Sequence, residues 1–324
     1  MKFSLKRLIN SNHSDMFGML VCLVLLVIIF SALSPAFLTF SNISNLVLAS
    51  ALVGIVAAGM TVVIISGGFD LSVGGNVALT GVVAASLLAD GRPQWIAALV
   101  GLCVGLGVGL FNGISITKFR INPFITTLAM MIIVRAVAFI YTDGVSFAIR
   151  DTSPVFPDFG FWGRGILLGV PVPVWMFILV SIGVYILLNK TIIGREIYAI
   201  GGNEEAAKVS GININKVKLI VYLIVGVLAS FSGILLASRL TAGIPGSGNG
   251  YEFQAITAVI LGGASLSGGR GKIQNTILAI IVLGVLGNGF ILIGLSSFHQ
   301  DFARGVLLLI SVGIDQLRQR RGLK

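Results

Sequence analysis

The sequence predicts an all-α, polytopic membrane protein with about ten transmembrane helices and both termini in the cytoplasm. Of its 324 residues, 56% are hydrophobic and only 10% are charged, whereas charged residues make up about a quarter of soluble globular domains. Long apolar runs recur along the chain, and the basic residues lie mainly in alternate connections between them. We therefore expect residues 1–324 to form a single transmembrane domain.

The apolar runs define the spans, because a helix needs about 20 apolar residues to cross the hydrocarbon core. The first run is uncharged and longer than the hydrophobic region of a usual signal peptide, so it is predicted to be a span. The predicted spans cover residues 16–34, 46–66, 75–89, 95–117, 123–141, 172–189, 217–238, 252–266, 274–294 and 302–316. The third and eighth are short and contain glycines, so each is a candidate for a broken or re-entrant helix.

The basic residues predict the orientation of these spans. A cytoplasmic N-terminus places most of the 22 Lys and Arg residues on the inner side, and the outer loops then clearly hold only Arg92, Arg150 and Arg164. The positive-inside rule thus favours cytoplasmic termini. The net charge of +10 is explained by orientation, and no nucleic-acid partner is expected.

Two connections are long enough to have functions of their own. Residues 142–171 form an outer, extracytoplasmic loop rich in Pro, Gly, Phe and Asp, which is a candidate cover for the mouth of a pathway. Residues 190–218 form the most charged inner, cytoplasmic loop.

A short surface helix is predicted within the inner loop. Asn203 suits the N-cap, Glu204 and Glu205 place negative charge in the first turn, Lys208 lies near the end, and Gly211 terminates the helix. Its predicted apolar surface consists of Ala206, Ala207 and Val209. From the residues alone, docking into another protein and a plain capped connector remain equal alternatives.

Two glycine-rich stretches form a weak internal repeat. "GGFDLSVGG" begins at Gly67 and "GGASLSGGR" begins at Gly262, so that both contain G-G-x-x-L-S-x-G when these glycines are aligned. Repeated glycine-interrupted segments are typical of transporters, although glycine serves a tight turn equally well. The residues that we expect to shape an inner pathway or gate are Gly67, Gly68, Asp70, Ser72, Gly262, Gly263 and Ser267. Asp70 is expected to face water or to cap the next helix.

Several kinds of chemistry are not supported by the sequence. The two cysteines lie in apolar runs and there are only two histidines, so no metal site and no cofactor are expected. "GGASLSGGRGK" does not match a nucleotide-binding loop, because Leu266 and Ile273 occupy positions that require Gly and Ser or Thr. No set of catalytic residues is apparent, so a membrane enzyme is disfavoured.

Polar residues within the spans are mostly uncharged. The scarcity of acidic groups disfavours a proton- or sodium-coupled carrier. Arg135 lies within a span, where bonding to helix-end carbonyls is favoured over substrate contact. Amide side chains suit a sugar or polyol but also hold helices together. The candidate substrate contacts are Asn112, Asn122, Gln254 and Asn288.

Four segments carry a family resemblance that covers about Leu33 to Asp315. "GGFDLSVGG" resembles the signature of the ribose-type sugar permeases of ATP-binding-cassette importers, and "AIGGNEEAAKVSGININKVK" resembles their cytoplasmic coupling segment. "GNGYEFQAITAVILGGASLSGGRGKI" and "GNGFILIGLSSFHQ" are similar to later segments of the same family. Phe69, Gly75 and Gln254 depart from the family pattern, which leaves the particular sugar open.

The resemblance implies a permease of the bacterial inner membrane that forms a homodimer in lipid. It implies that an extracytoplasmic binding protein delivers the sugar and that a cytoplasmic partner ATPase hydrolyses ATP. Carried over by position, the ATPase-coupling residues are Asn203, Glu204, Glu205, Ala206, Ala207, Ser210 and Gly211. The alternative is a secondary carrier or channel that needs no ATPase.

Overall fold

The computed structural model describes residues 14–149 and 158–320 and is built almost entirely from helices. The helices are Ser14–Leu33 (α1), Phe40–Ile65 (α2), Val73–Ala89 (α3), Gln94–Thr117 (α4), Pro123–Thr142 (α5), Phe159–Arg164 (α6), Val172–Lys190 (α7), Ile192–Gly202 (α8), Glu204–Val209 (α9), Ile214–Leu240 (α10), Tyr251–Leu261 (α11), Ile273–Leu292 (α12) and Ser297–Arg320 (α13). Short strands occupy Phe147–Ala148 (β1), Ile166–Leu167 (β2), Val170–Pro171 (β3) and Ala242–Gly243 (β4). The predicted cytoplasmic termini and the middle of the predicted outer loop lie outside the described residues.

Each predicted span contains a helix, and among the described residues seven helices are long and apolar enough to cross a membrane. These are α1, α2, α4, α5, α7, α10 and α12. The helices of the third and eighth predicted spans, α3 and α11, are apolar but shorter. The helix of the tenth, α13, has 24 residues and carries charged side chains; it is not among the seven. The structure therefore supports a polytopic membrane protein.

Polar caps set several helix ends. The Asn122 side chain accepts a hydrogen bond from the Phe124 backbone N–H at 2.9 Å, and Pro123 occupies the first turn, where its missing N–H costs nothing. The Asn213 side chain accepts from the Lys216 backbone N–H at 3.0 Å at the start of α10. These caps supply partners for backbone groups that a helix end otherwise leaves unpaired.

Helix α2 lies at the centre of the fold, since every residue from Ser50 to Ile65 is buried. It contacts α7, α10, α11 and α12. The Ser232 hydroxyl of α10 donates to the Leu52 carbonyl at 2.8 Å, which ties α10 to α2. By contrast, α1 leaves most of its apolar side chains exposed, as expected for a helix that faces lipid.

A glycine stripe brings α4 against α10. A Cβ atom at Gly105 would overlap Ser230, one at Gly109 would overlap the Tyr222 carbonyl, and one at Gly226 would overlap the Gly105 carbonyl. Small residues permit such close approach between helices in lipid. The four-residue spacing of Gly101, Gly105, Gly109 and Gly113 places these glycines on one face of α4, where they pack against α10.

The described part of the outer loop is held in place by strand pairing and by a hydrogen bond to α10. Strand β1 pairs antiparallel with β4, and β2 pairs antiparallel with β3, so the loop departs locally from an all-α structure. The Ser238 hydroxyl donates to the Phe159 carbonyl at 2.5 Å, which joins the end of α10 to α6.

Candidate functional site

The predicted surface helix is present as α9. The Asn203 side chain accepts from the Ala206 N–H at 2.9 Å, and the Ile212 N–H donates to the Ala207 carbonyl at 3.1 Å beyond the helix end. Gly211 has a φ of 85°, the left-handed conformation that favours glycine after a helix. The caps predicted from the sequence are confirmed.

The exposed face of α9 differs from the predicted apolar surface at one residue. Ala207 is only 4% exposed and packs into the main hydrophobic core, whereas Val209 is 88% exposed. The expectation that Ala207 forms part of the exposed face is therefore wrong, because this side of the short helix lies on the protein. We define the coupling surface as the exposed residues Asn203, Glu204, Glu205, Ala206, Lys208, Val209, Ser210 and Gly211.

An ion pair connects α9 to the membrane domain. Lys218 Nζ lies 2.7 Å from Glu204 Oε2, and the Lys218 side chain is 20% exposed. The pair joins the first turn of α9 to the beginning of α10, the helix that packs most extensively on α4. The coupling surface is thus attached to a helix of the transmembrane core.

Helix α8 precedes α9 and was not predicted. Thr191 caps it by accepting from the Gly194 N–H at 3.0 Å, and Ile197 and Ile200 are buried. A Thr before apolar residues at positions 193, 197 and 200 is a signal that the sequence contained. Burial raises the pKa of the Tyr198 phenol, whose hydroxyl donates to the Gly271 carbonyl at 2.8 Å.

The first glycine-rich stretch forms a sharp turn between α2 and α3, here called the first elbow (residues 66–72). The Gly67 N–H donates to the Ile64 carbonyl and the Gly68 N–H to the Val63 carbonyl, both at 3.0 Å. Gly67 has a φ of 79°, so a side chain at this position would be strained.

Asp70 lies inside the first elbow rather than at an aqueous face. It is 1% exposed, and its Oδ1 accepts from the Ser72 N–H at 2.8 Å and from the Ser72 hydroxyl at 2.6 Å. Asn112 of α4 donates to the same hydroxyl at 2.9 Å. Burial raises the pKa of the Asp70 carboxyl to about 6, and the bonds from Ser72 oppose that rise. The expectation of a water-facing Asp70 is wrong, while its bond to the Ser72 N–H is close to the predicted capping role.

The second stretch forms a matching turn between α11 and α12, here called the second elbow (residues 262–272). The Gly263 N–H donates to the Ile260 carbonyl at 2.8 Å, and the Ala264 N–H to the Val259 carbonyl at 3.1 Å. Gly263 has a φ of 84°. The two elbows therefore end their preceding helices with the same backbone hydrogen bonds.

This equivalence corrects the register of the repeat. Gly67 corresponds in conformation to Gly263, and not to Gly262 as the sequence pattern suggested. The Leu-Ser pairs that both stretches contain, at 71–72 and 266–267, lie in turns of different length, so they do not occupy equivalent positions. What the two elbows share is the backbone conformation at the helix end, and not the side chains that follow it.

Gly201, near the end of α8, lies between the two elbows. A Cβ atom on Gly201 would overlap the Ile65 carbonyl and would lie 2.5 Å from the Gly269 nitrogen. The Gly269 N–H itself donates to the Ile65 carbonyl at 2.8 Å. The two elbows and the helix before the coupling surface thus meet backbone to backbone.

The residues expected to shape an inner gate all lie in the two elbows. They are Gly67, Gly68, Asp70, Ser72, Gly262, Gly263 and Ser267.

The four candidate substrate contacts lie in different environments. Asn122 caps α5 and is exposed, and Asn112 belongs to the Asp70 network. Gln254 and Asn288 line one cavity of about 320 Å³. Asn288 also exchanges two amide hydrogen bonds with Asn42, at 2.8 and 2.9 Å. The structure therefore brings together two of the four.

Arg135 bonds to backbone carbonyls, as expected, but these belong to the turn before α11 and not to a helix end. Its Nη1 donates to the Pro245 carbonyl at 3.2 Å and to the Ser247 carbonyl at 2.5 Å. The nearby Glu252 carboxylate is buried and accepts from the Gly250 N–H at 3.3 Å. These contacts fix the turn that precedes α11.

Across residues 14–149 and 158–320, no cluster of three His, Cys, Asp or Glu residues is arranged to hold a metal ion.

Comparison with known proteins relates the whole of this arrangement to one class of transporter. Residues 42–312 match the family described as "Branched-chain amino acid transport system / permease component". The chain is 42% identical over 302 residues to the ribose import permease protein RbsC of Escherichia coli (strain K12), with 93% of each chain covered. It is 43% identical over 299 residues to RbsC of Bacillus subtilis (strain 168), with 92% of each chain covered. It is 41% identical over 306 residues to the L-arabinose transport system permease protein AraH of Escherichia coli (strain K12), covering 94% of this chain and 92% of AraH. No solved structure gives a significant match.

Proposed function

Because the chain belongs to the family of permease components of the branched-chain amino acid transport system, we propose that it is the permease subunit of an ATP-binding-cassette importer for a monosaccharide such as ribose. The observation that carries the proposal is the 42% identity to a ribose import permease over 93% of both chains. Although the family description mentions amino acids, the relatives reported above are named for ribose and L-arabinose. The protein is a multi-pass protein of the bacterial inner membrane.

The coupling surface is proposed to receive the partner ATPase. Its support is an exposed, capped helix tied by the Lys218–Glu204 ion pair to α10. Asn203, Glu204, Glu205, Ala206, Ser210 and Gly211 contact the ATPase, and Ala207 supports them from beneath. ATP is bound and hydrolysed by that partner.

Transmission from the coupling surface follows the junction at Gly201. When the ATPases close, they push on α9 and α8, and the contact of Gly201 with both elbows shifts the ends of α2 and α11 together. The elbows therefore shape the inner gate. Asp70 holds the turn of the first elbow through Ser72 and does not bind the sugar.

The remaining architecture completes the importer. Residues 1–324 form one permease domain with ten spans, in which α3 and α11 are the broken elements, and both termini are cytoplasmic. Residues 190–218 form the cytoplasmic coupling loop and residues 142–171 the extracytoplasmic loop. A sugar-binding protein docks on the outer side, and a second copy of the chain completes a homodimer in lipid.

Reconstitution tests the function. The chain is placed in liposomes with its ATPase and sugar-binding protein, and uptake of labelled ribose, L-arabinose and leucine is measured. Sugar uptake is expected only with ATP, the ATPase and the binding protein present together, and a non-hydrolysable nucleotide serves as the control. Counterflow by the chain alone would establish a secondary carrier or channel instead, and uptake of leucine in place of sugar would assign an amino-acid importer.

A further inference from the structure

A cavity of about 320 Å³, lined by both polar and apolar side chains, lies among α2, α10, α11, α12 and α13. In the predicted orientation α2, α11 and α13 begin on the outer side, and α10 and α12 end there. Most of the cavity-lining residues come from those outer halves, and Val53 and Ile280 lie near the middle of α2 and α12, so the cavity belongs to the outer part of the membrane domain. Its polar lining includes Asn45, Ser50, Arg239, Tyr251, Gln254 and Asn288.

Ser50 lines the wall of the cavity on α2, but its hydroxyl packs against α12, because a Cβ atom built on Gly284 would overlap the Ser50 oxygen. A hydrogen-bonding ligand in the cavity would therefore bond to the other polar side chains of the lining.

The lining also defines the chemical class of that ligand. Gln254 offers an amide donor and acceptor, Arg239 offers only donors, and the Tyr251 hydroxyl offers both. Ile280 and Leu283 supply an apolar wall. The described lining contains no Asp or Glu. The lining also contains Arg304, which is paired with Asp301 at 3.0 Å. The amides and hydroxyls of the lining, with Arg239 as a further donor, lie beside an apolar surface and match the hydroxyls and C–H faces of a sugar.

The cavity volume agrees with a small sugar. Small-molecule sites typically measure about 300–1,000 Å³, and a water occupies about 30 Å³. A cavity of about 320 Å³ is therefore large enough for a pentose or a hexose.

We infer that this cavity of a single protomer receives the monosaccharide on its way from the binding protein to the inner gate, with Arg239, Tyr251 and Gln254 bonding to its hydroxyls. The inference rests on the proposed function and adds the place of the sugar within the chain. Gln254 is the most informative residue, because its side chain makes no hydrogen bond to another described residue that its removal would break.

Two variants test the cavity in the complete reconstituted importer. Gln254→Leu removes the amide at similar size, and Ala49→Trp fills the cavity from an exposed lining position. Their matched controls are Gln274→Leu, exposed near the inner end of α12, and Ala32→Trp, exposed near the outer end of α1. The readouts are ribose transported per ATP hydrolysed, ATPase activity stimulated by the loaded binding protein, and thermal unfolding.

Loss of one ligand hydrogen bond by Gln254→Leu is expected to lower ribose transported per ATP by about fivefold. Filling by Ala49→Trp is expected to lower it by about tenfold or more. Stimulated ATPase activity and thermal unfolding are expected to stay within about twofold and a few degrees of wild type, as for substitutions away from buried features. A merely structural role would instead lower transport and ATPase activity together.

The inference is overturned if both cavity variants transport as much ribose per ATP as their controls while the wild type is active. If Ala49→Trp assembles poorly, Gln254→Leu alone decides. A wild-type importer without any ATP-driven sugar uptake overturns the proposed function, and this inference with it, so the two failures are distinguishable.

Discussion

Gly201 and Gly202 are neighbours in the sequence with opposite surroundings. Gly201 has the backbones of Ile65 and Gly269 against it, whereas nothing lies within 4 Å of a Cβ atom built on Gly202. Both are the last residues of the same helix, α8, and the sequence "AIGGNEE" does not distinguish them. Gly201 has no room for a side chain because the two elbows pack against it, and this depends on the tertiary structure alone.

This contrast makes a matched pair of substitutions. Gly201→Ala is expected to lower the free energy of unfolding by about 1–3 kcal/mol, because backbone atoms must move apart to accept the methyl group. Gly202→Ala is expected to be neutral or to stabilise by up to about 1 kcal/mol, as alanine favours the helix. Thermal unfolding in detergent and uptake in liposomes measure both.

We expect Gly201→Ala also to reduce ribose uptake at a given ATPase rate, since it separates α8 from the elbows. Equal stability and equal uptake of the two variants would show that the junction at Gly201 does not transmit movement.

At the scale of an element, α9 depends on local signals that the sequence contains in full. Its caps at Asn203 and Gly211 were predicted because they require only neighbouring backbone groups. The face that α9 buries depends on α8 and α10, so the orientation of Ala207 was not predictable from a six-residue helix.

The two alanines of α9 are therefore expected to respond differently to the same change. Ala206→Arg adds a charge to the coupling surface and should leave folding intact while reducing ATPase coupling by at least about tenfold, as desolvated charges do at interfaces. Ala207→Arg buries an unpaired charge and should lower the folded yield.

Ala89→Arg, at the exposed outer end of α3, is the control for the added charge and should behave as wild type. The measurements are size-exclusion yield, uptake, and ATPase activity stimulated by the loaded binding protein. Normal coupling in the Ala206→Arg importer would remove α9 from the ATPase contact.

The elbows illustrate a second limit at this scale. The sequence predicted both turns, but an alignment by residue identity pairs Gly67 with Gly262, because it counts every identical residue equally. Hydrogen bonds at the helix ends align Gly67 with Gly263 instead. A helix end is defined by backbone geometry, which several side-chain patterns satisfy.

At the scale of the whole molecule, the distribution of basic residues predicts which loops face the cytoplasm. Leu168, in the turn between β2 and β3, is 84% exposed on the predicted outer side. Lys208 of α9 is exposed on the predicted inner side. The two positions are therefore predicted to lie on opposite faces of the membrane.

Single thiols at these positions test the topology in a Cys22→Ser, Cys103→Ser background. In intact spheroplasts, a membrane-impermeant maleimide should label Leu168→Cys at once and Lys208→Cys only after permeabilisation. Transport by both variants controls for native folding. The reverse labelling pattern would invert the orientation and place the coupling surface outside the cell.

The sequence by itself determined the helical membrane class, the apolar runs that form the long helices and the capped helix that begins after Asn203, and it predicts the sidedness of the spans. Each depends on composition, on the length of apolar runs or on contacts between residues near in sequence. The tertiary structure decided that α2 is central, that Asp70 and Ala207 are buried, that Gly201 lies between the elbows, and that Gln254 and Asn288 share a cavity. In an apolar chain nearly every helix face is able to pack on a neighbour or on lipid, so burial and long-range proximity emerge only when the helices are assembled.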